Sequence, residues 1–596
     1  MAQDIISENS SFYLGINKGE HHSSVCLIDP SISNNDPADS IQLWLKERLT
    51  RKKNAGGLPW NILARLNENY FGSQQVAILE NCFGHSPFHT EKLWDENFPY
   101  FDLLKTRKLQ RFSSHFNSQI KFLTHHEAHA WAALAQSPYE KSLILVLDGV
   151  GQDHDAFNKN HSEKINFPCA EKLEFPQSRF AESLSLYVQD KASLTCVDKI
   201  WQRFVTAENV YDEEGYDKED FSTGLGHFYS IAAKYIFNSF HDSGKVMGLA
   251  SFGHNTLLVN NALTFWANQD WQKKFSGNNK VDWQNSEHNF HWANLAATTQ
   301  HYFERELLLY LNKIKKIYPH VENLIITGGC ALNCVANQKV LTSGIFSNVY
   351  IPPFPSDEGI SFGLAQFSLL NKHPNYWQVT PLEKQKIYLG PKSSIPNDNK
   401  NNSLFSDFHK KYFSNSQELV EFAAQNLSQG KIMAWFQGRS ETGPRALGNR
   451  SILANPKILN LKNKLNDNIK FRESFRPYGA TVIQEDVSKY FQVPYDFKSP
   501  FMSFTPTVRI EYRELLKEII HNDNTSRIQS LSPQQNPLFY LLLKEFEKLT
   551  GLGVLLNTSL NIMGEPIVET AEDAKNFFLK VKVDILVIGN LVIFPN

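Results

Sequence analysis

Leu324-Ile325-Ile326-Thr327-Gly328-Gly329-Cys330-Ala331-Leu332-Asn333 reads as an apolar strand that ends in paired glycines and opens a helix-forming run. Phe12-Tyr13-Leu14-Gly15-Ile16-Asn17 has the same apolar strand character, and a second strand over 24–29 follows it through a His-rich turn. A third copy spans 142–149, where apolar residues run into Asp148-Gly149. Helical periodicity follows over 331–341 and 359–370. Strands alternating with helices specify an α/β unit with helices on both faces of a sheet. Bare N–H groups where a helix opens after Gly328-Gly329 suit a nucleotide phosphate, although a packing turn explains a Gly-Gly pair equally well.

At 596 residues the chain exceeds one ordinary core, so two large domains are expected. Lys+Arg 60 against Asp+Glu 62 leaves a net charge of −2, which argues against bulk binding to nucleic acid or to a membrane surface. The N-terminal residues 1–8 are acidic and lack a signal pattern. No apolar run reaches the ~18 residues of a membrane helix. The apolar stretch 583–592 is broken by Gly589-Asn590, a hairpin signal. Six irregularly spaced cysteines fit buried reduced thiols in a cytoplasmic protein better than a metal or redox motif. The stretch 153–224 shows no clear periodicity and ends in an acidic run read as a solvated face. Residues 372–386 read as an interdomain connection, and the Asn-rich 397–403 as an exposed loop.

The second half reads as a separate α+β unit. Residues 536–550 have a one-sided apolar helix pattern, 553–556 form a buried strand, and Thr570 with Asp573 marks a helix start. This unit carries Gly438-Arg439-Ser440-Glu441-Thr442-Gly443-Pro444-Arg445-Ala446-Leu447-Gly448-Asn449-Arg450-Ser451 and, downstream, Lys470-Phe471-Arg472-Glu473-Ser474-Phe475-Arg476-Pro477. Arginine forks and close-approaching glycine backbone suit a small oxyanion. Arg527 and the Asn557-Thr558-Ser559 strand end add donors suited to carbamoyl or acyl phosphate. Each alone is as well explained by a surface pair or a turn.

His125 and His129 lie i and i+4 on a helix-forming run, with Cβ atoms roughly 5–6 Å apart. With Asp148 at a strand end and Asp357 in a turn before a helix, they form a two-His, two-Asp set. Iron, manganese and zinc all suit such a set, and spacing does not choose among them. There is no Gly-x-x-x-x-Gly-Lys-Ser/Thr loop, and no Gly-x-Ser-x-Gly elbow for a hydrolytic serine.

These motifs, in this order, resemble the O-carbamoyltransferases of antibiotic and nodulation-factor biosynthesis. This is the NodU/CmcH type, which includes tobramycin carbamoyltransferase. The anchors are Gly-Pro-Arg-Ala-Leu-Gly at 443–448, Gly-Gly-Cys-Ala-Leu-Asn-Cys-Val-Ala-Asn at 328–337 and Leu-Leu-Asn-Thr-Ser at 555–559. Lys245-Val246-Met247-Gly248-Leu249-Ala250, Phe475-Arg476-Pro477 and Gly564-Glu565-Pro566-Ile567-Val568 extend the match.

The resemblance implies an actin/sugar-kinase-like, threonylcarbamoyl-transferase-like domain over 1–375 and a YrdC-like domain over 376–596. The second would make carbamoyl adenylate from carbamoyl phosphate and ATP, with magnesium accompanying the nucleotide. The first would pass the carbamoyl group to a hydroxyl of a small-molecule acceptor in secondary metabolism. Residue by residue, the resemblance puts Lys470, Arg476, Arg527, Asn557 and Ser559 on carbamoyl phosphate and Arg445 near the nucleotide. It puts Gly328, Gly329 and Asn333 facing the adenylate. His125, His129, Asp148 and Asp357 would hold the metal, iron in the relatives, and His21 would take the acceptor proton. Two positions depart from the family: His21-His22-Ser23 stands where it has His-Asp-Ser, and Lys46-Glu47-Arg48 where it has Glu-Glu-Arg. Both fall on the expected acceptor side. Transfer to nitrogen or to a macromolecule is one alternative, and a carbamoyl-nucleotide-binding protein without transfer activity is another. Neither the acceptor nor the oligomeric state can be read from the sequence.

Overall fold

The computed structural model describes residues 12–19, 21–30, 40–57, 62, 74–79, 120–155, 157, 167, 169–206, 220–269, 289–391 and 403–595. The acidic N-terminus, Cys82, the acidic run at 212–219 and most of the Asn-rich stretch at 397–403 lie outside them.

The first half builds two sheets with one repeated plan. Strands β1 (Phe12–Asn17), β2 (Ser24–Ile28) and β3 (Ile41–Leu45) form an antiparallel meander. Helix α1 (Lys46–Thr50) follows, then β4 (Gln74–Leu79) and β5 (Ile120–Leu123) add in parallel beside β1, giving the order β3-β2-β1-β4-β5. Helix α2 (His125–Ala135) leads into the second sheet. There β6 (Lys141–Leu147), β7 (Arg179–Asp190) and β8 (Ser193–Thr206) again form a meander, extended by β9 (Asp220–Ser222). Helices α3 (Leu225–Phe237), α4 (Ser243–Ala250) and α5 (Asn289–Ile317) intervene before β10 (Asn323–Thr327). Helix α6 (Cys334–Thr342) then leads to β11 (Asn348–Tyr350), and both strands join parallel beside β6. A meander followed by two parallel crossovers, made twice, is the duplicated architecture of the actin/sugar-kinase class.

Two glycines set how α2 and the helix after β11 lie. On β1, a Cβ at Gly15 would sit 2.0 Å from the Ser361 carbonyl of α7 (Ile360–Lys372), so this helix rests directly on the strand backbone. A Cβ at Gly363 of α7 would sit 2.0 Å from the Ala128 carbonyl of α2. Only glycine allows either contact. The two helices that begin at His125 and just after Asp357 are thereby locked together.

The sequence expectation for 153–224 is corrected: it contains the long β7–β8 hairpin. The alternation is hidden because buried positions carry polar residues. Glu182, Ser185, Gln189 and Gln202 are buried and hydrogen-bonded, for example Ser142 Oγ to Gln189 Oε1 at 2.7 Å. The helix expected over 331–341 is instead a 3₁₀ turn (Gly329–Leu332) and then α6, because the Asn333 side chain caps the Ala336 N–H at 3.0 Å.

The second half forms an eight-stranded mixed sheet over its own apolar core. It contains β12 (Lys410–Tyr412), α8 (Ser416–Ser428), β13 (Met433–Phe436), β14 (Arg450–Ala454), β15 (Gly479–Ile483), β16 (Ile528–Leu531), α9 (Pro537–Thr550), β17 (Val554–Ser559), α10 (Ala571–Lys580), β18 (Ile585–Ile588) and β19 (Leu591–Ile593). Asn536 caps α9, with proline at its first position and left-handed Gly551 after its end. The capping box at Thr570 and Asp573 is present, and β18 and β19 form the expected hairpin.

The connection at 372–386 docks on the first half, with Trp377 Nε1 donating to Leu134 O at 3.1 Å. The two halves also share backbone and arginine bonds. Leu43 N–H donates to Leu389 O at 2.8 Å, and Arg48 of α1, 2% exposed, donates to the carbonyls of Glu441 and Gly443. Cys26, Cys169, Cys196, Cys330 and Cys334 are free thiols. Among the described residues no helix is long and apolar enough to cross a membrane.

Candidate metal centre and oxyanion pocket

Helix α2 starts where the Thr124 hydroxyl accepts the Glu127 N–H at 3.3 Å, so His125 opens the first turn and His129 stacks below it. Asp148 follows β6, and Asp357 sits in the turn that leads into α7. These four buried side chains converge, with donor atoms all within 4.8 Å; helical spacing pairs His125 with His129, and the fold brings Asp148 and Asp357 to them. Asp148 Oδ2 lies 2.9 Å from His125 Nε2 and 3.1 Å from His129 Nε2, and the two Nε2 atoms are 3.2 Å apart. Asp357 Oδ1 is 3.5 and 3.4 Å from the same nitrogens. Burial alone would raise the Asp148 carboxyl, but hydrogen bonds to His125 and His129 hold it well below its usual range.

One cation fits this donor set. Two imidazole nitrogens and two carboxylate oxygens facing one point match a divalent transition metal. Protons alone serve it poorly, because each Nε2 has a single in-plane direction for several partners.

The Gly-Gly turn lies against this centre. Gly328 has φ +90°, and its Cβ would be 2.4 Å from Leu147 O; a Cβ at Gly329 would be 2.8 Å from Asp148 Oδ1. Asn333 is engaged by the α6 cap and by Gln300, which its amide reaches at 3.0 Å. His126 faces the other side of α2, within 2.8 Å of Ser185 Oγ, and burial pushes its pKa down to about 3, so it stays neutral. Near it, buried Glu182 pairs with Lys199.

The arginine-rich stretch divides by role. Arg439 donates to the carbonyls of Gly390, Ile41 and Leu389. Arg450 is fully buried, donates to the carbonyls of Gln437, Asn449, Gly438 and Glu569, and stacks on Phe436. Arg450 knits the loop, and Arg439 ties it to β3 and to residues 389–390. Glu441, also fully buried, accepts the N–H groups of Leu447, Asn449 and Arg450 at 2.8, 2.7 and 3.1 Å. This leaves Arg445, whose Nη2 donates to Leu332 O at 3.2 Å, on the turn beside the His/Asp quartet. Burial first, then the neighbouring Arg445 charge, brings Arg527 down to about 9, and its buried Nε has no hydrogen-bond partner. Two guanidiniums that repel each other in a desolvated setting form a ready seat for an anion.

Lys470 is buried and donates to Ser559 O, Asn561 O and Asn561 Oδ1 at 2.7–2.8 Å. Burial, then Arg472 and Arg476, push it well below the usual lysine range. Ser559 Oγ is 3.3 Å from the same ammonium. Asn557 is fully buried and donates to Thr481 Oγ1 at 2.9 Å, while its Oδ1 has no partner. Arg476 lies 3.6 Å from Glu473, which also pairs with Lys245 of α4 at 2.9 Å. Sequence reasoning gave Lys245 and Glu473 no role. A lone glutamate among the basic residues of 470–476 was the available signal.

A family model described as the carbamoyltransferase N-terminus matches residues 57–366, and one described as the carbamoyltransferase C-terminus matches residues 424–594. The chain belongs to the carbamoyltransferase family of enzymes. It is 30% identical to nodulation protein NolNO of Sinorhizobium fredii over 82% of this chain and 66% of that protein, so it spans about two thirds of that relative. It is 29% identical to nodulation protein NolO of Bradyrhizobium diazoefficiens over 79% and 78% of the two chains. Among solved structures, full-length HypF in a phosphate- and nucleotide-bound form aligns at 13% identity and TM-score 0.36. That alignment covers 62% of this carbamoyltransferase and 47% of HypF.

Proposed function

We propose that this carbamoyltransferase couples two half-reactions, with residues 376–596 activating the carbamoyl group and residues 1–375 transferring it to a hydroxyl of a small-molecule acceptor. The observation that carries this reading is the contact of Arg445 with Leu332 O, which brings an arginine of residues 376–596 to the turn that adjoins the His/Asp quartet. In the first half-reaction, carbamoyl phosphate and water give phosphate and carbamate. The carbamate oxygen then displaces pyrophosphate from ATP to leave carbamoyl adenylate. In the second, the acceptor oxygen attacks the carbamoyl carbon and AMP leaves.

Lys470, Arg476 and Arg527 neutralise the phosphate oxygens, with Asn557 Oδ1 and Ser559 Oγ as polar contacts for the carbamoyl end. Arg445 holds the adenylate phosphate beside the Gly328-Gly329 turn. His125, His129, Asp148 and Asp357 would hold the metal. When bound, it supplies Lewis-acid polarisation of the carbamoyl oxygen. His21 lies on the acceptor side, its Nδ1 3.1 Å from Asp357 Oδ2, and takes the proton from the attacking hydroxyl.

The test incubates the full chain with ATP, carbamoyl phosphate and a panel of polyols. Pyrophosphate that depends on carbamoyl phosphate, together with a carbamoylated polyol, is expected. Absence of pyrophosphate refutes the activation step, and carbamoylation of amines alone refutes the hydroxyl acceptor.

A further inference from the structure

Asp357 faces a different cluster with each carboxylate oxygen. Oδ1 is turned to His125 and His129, whereas Oδ2 lies 3.1 Å from His21 Nδ1. His21 Nδ1 is in turn 2.9 Å from His22 Nδ1. The ligand atoms of His21, His22 and Asp357 lie within 4.8 Å of one another, as do those of the quartet. Donors about 2.1 Å from one cation at right angles are about 3.0 Å apart, which matches these edges. Protons alone serve the arrangement poorly. His21 Nδ1 has one in-plane direction, which cannot give good hydrogen bonds to both Asp357 and His22.

Three further features hold the cluster in this form. His22 has φ +52°, a left-handed backbone that costs a non-glycine residue energy and aims its ring inward. The fully buried Asn17 amide donates to His22 O at 3.1 Å and to Asp357 O at 3.2 Å, which ties the two ligand backbones together. Glu358 is buried, its Oε2 has no hydrogen-bond partner, and its Oε1 lies 3.9 Å from His22 Nε2. A carboxylate on that side favours the proton on Nε2 and leaves the Nδ1 lone pair facing the cluster.

We infer that His21 Nδ1, His22 Nδ1 and Asp357 Oδ2 form a second divalent-cation site, joined to the first by a bridging Asp357 carboxylate. Two imidazoles and one carboxylate leave open positions for water or the acceptor hydroxyl, and they suit manganese, iron or zinc. The bridge rests on reading the quartet as a metal site. It makes His21 a ligand rather than the proton acceptor proposed above.

The probe is Mn²⁺ alone, added to the metal-stripped full chain, with manganese counted after dialysis and the electron paramagnetic resonance spectrum recorded. Two ions per chain and an exchange-coupled spectrum are expected. His22→Asn, whose new residue tolerates the left-handed backbone, is expected to retain one ion with an uncoupled six-line spectrum, and His21→Ala likewise. One ion in the wild type, or two in His22→Asn, overturns the second site. Should His22→Asn fail to fold, the wild-type spectrum decides: coupling supports the bridge and isolated signals refute it. Loss of the quartet reading looks different, because His129→Ala would then leave the manganese count unchanged.

Discussion

Glu441 is the residue on which the arginine-rich loop turns. Its Oε1 accepts three backbone N–H groups, from Leu447, Asn449 and Arg450, in a fully buried setting. A hydrogen bond to a charged group contributes about 1.5–3 kcal/mol and a neutral one about 0.5–1.5 kcal/mol. Glu441→Gln keeps the shape and lowers each bond by about 1 kcal/mol, so a destabilisation of about 3 kcal/mol is expected. Glu441→Ala strands three buried donors at about 1–3 kcal/mol each, so its cost reaches further, to about 3–9 kcal/mol. It also removes one of three carboxylates, with Glu569 and Asp573, that balance the Arg450 charge. Urea unfolding followed by tryptophan fluorescence measures both changes, and pyrophosphate release reports the site. Arg445→Met provides the contrast, with unfolding within about 1 kcal/mol of wild type but pyrophosphate release strongly reduced. If Glu441→Ala unfolds within about 1 kcal/mol of wild type, the loop is not held by this carboxylate and the division of roles among the arginines is wrong.

Three other outcomes follow from the geometry. Arg48→Ala breaks a buried pair with Glu569 at 3.6 Å and two carbonyl contacts across the halves, and should cost about 3–5 kcal/mol in denaturant unfolding. Burial alone would raise Glu182, but Lys199 holds it down at about 2. Its contribution should therefore be complete above the free-glutamate value of about 4.3 and fade as pH falls toward 2, and Glu182→Gln should remove that acid-side dependence in pH-resolved unfolding. Gly328→Ala forces a Cβ to 2.4 Å from Leu147 O at φ +90°, so Asp148 should shift. Metal content after loading should fall, with a stability loss of about 2 kcal/mol or more.

The His125–His129 pair was legible before folding because helical spacing alone sets the two on one face. Acidic residues at a strand end and in a helix-leading turn are common places for ligands. The α/β alternation was legible for the same reason, since apolar runs ending in glycine have few other uses. The β7–β8 hairpin was not, because Glu182, Ser185, Gln189 and Gln202 are buried polar residues whose partners come from other strands and from α2. The three arginines of 438–451 look alike in sequence. Only the fold separates Arg439 and Arg450, which each bind several backbone carbonyls, from Arg445, which donates to Leu332 O on the turn after β10.

By itself, the sequence determined the family, the α/β alternation, and the chemical types gathered at each site, because local spacing and motif identity survive without coordinates. The tertiary structure decided which charges are already satisfied and which face a common point. Gly15 and Gly363 let α7 settle on β1 and α2, which brings Asp357, more than two hundred residues away in the chain, to the histidines of α2. That long-range packing also turns the second oxygen of Asp357 to His21 and His22, and no local pattern encodes it.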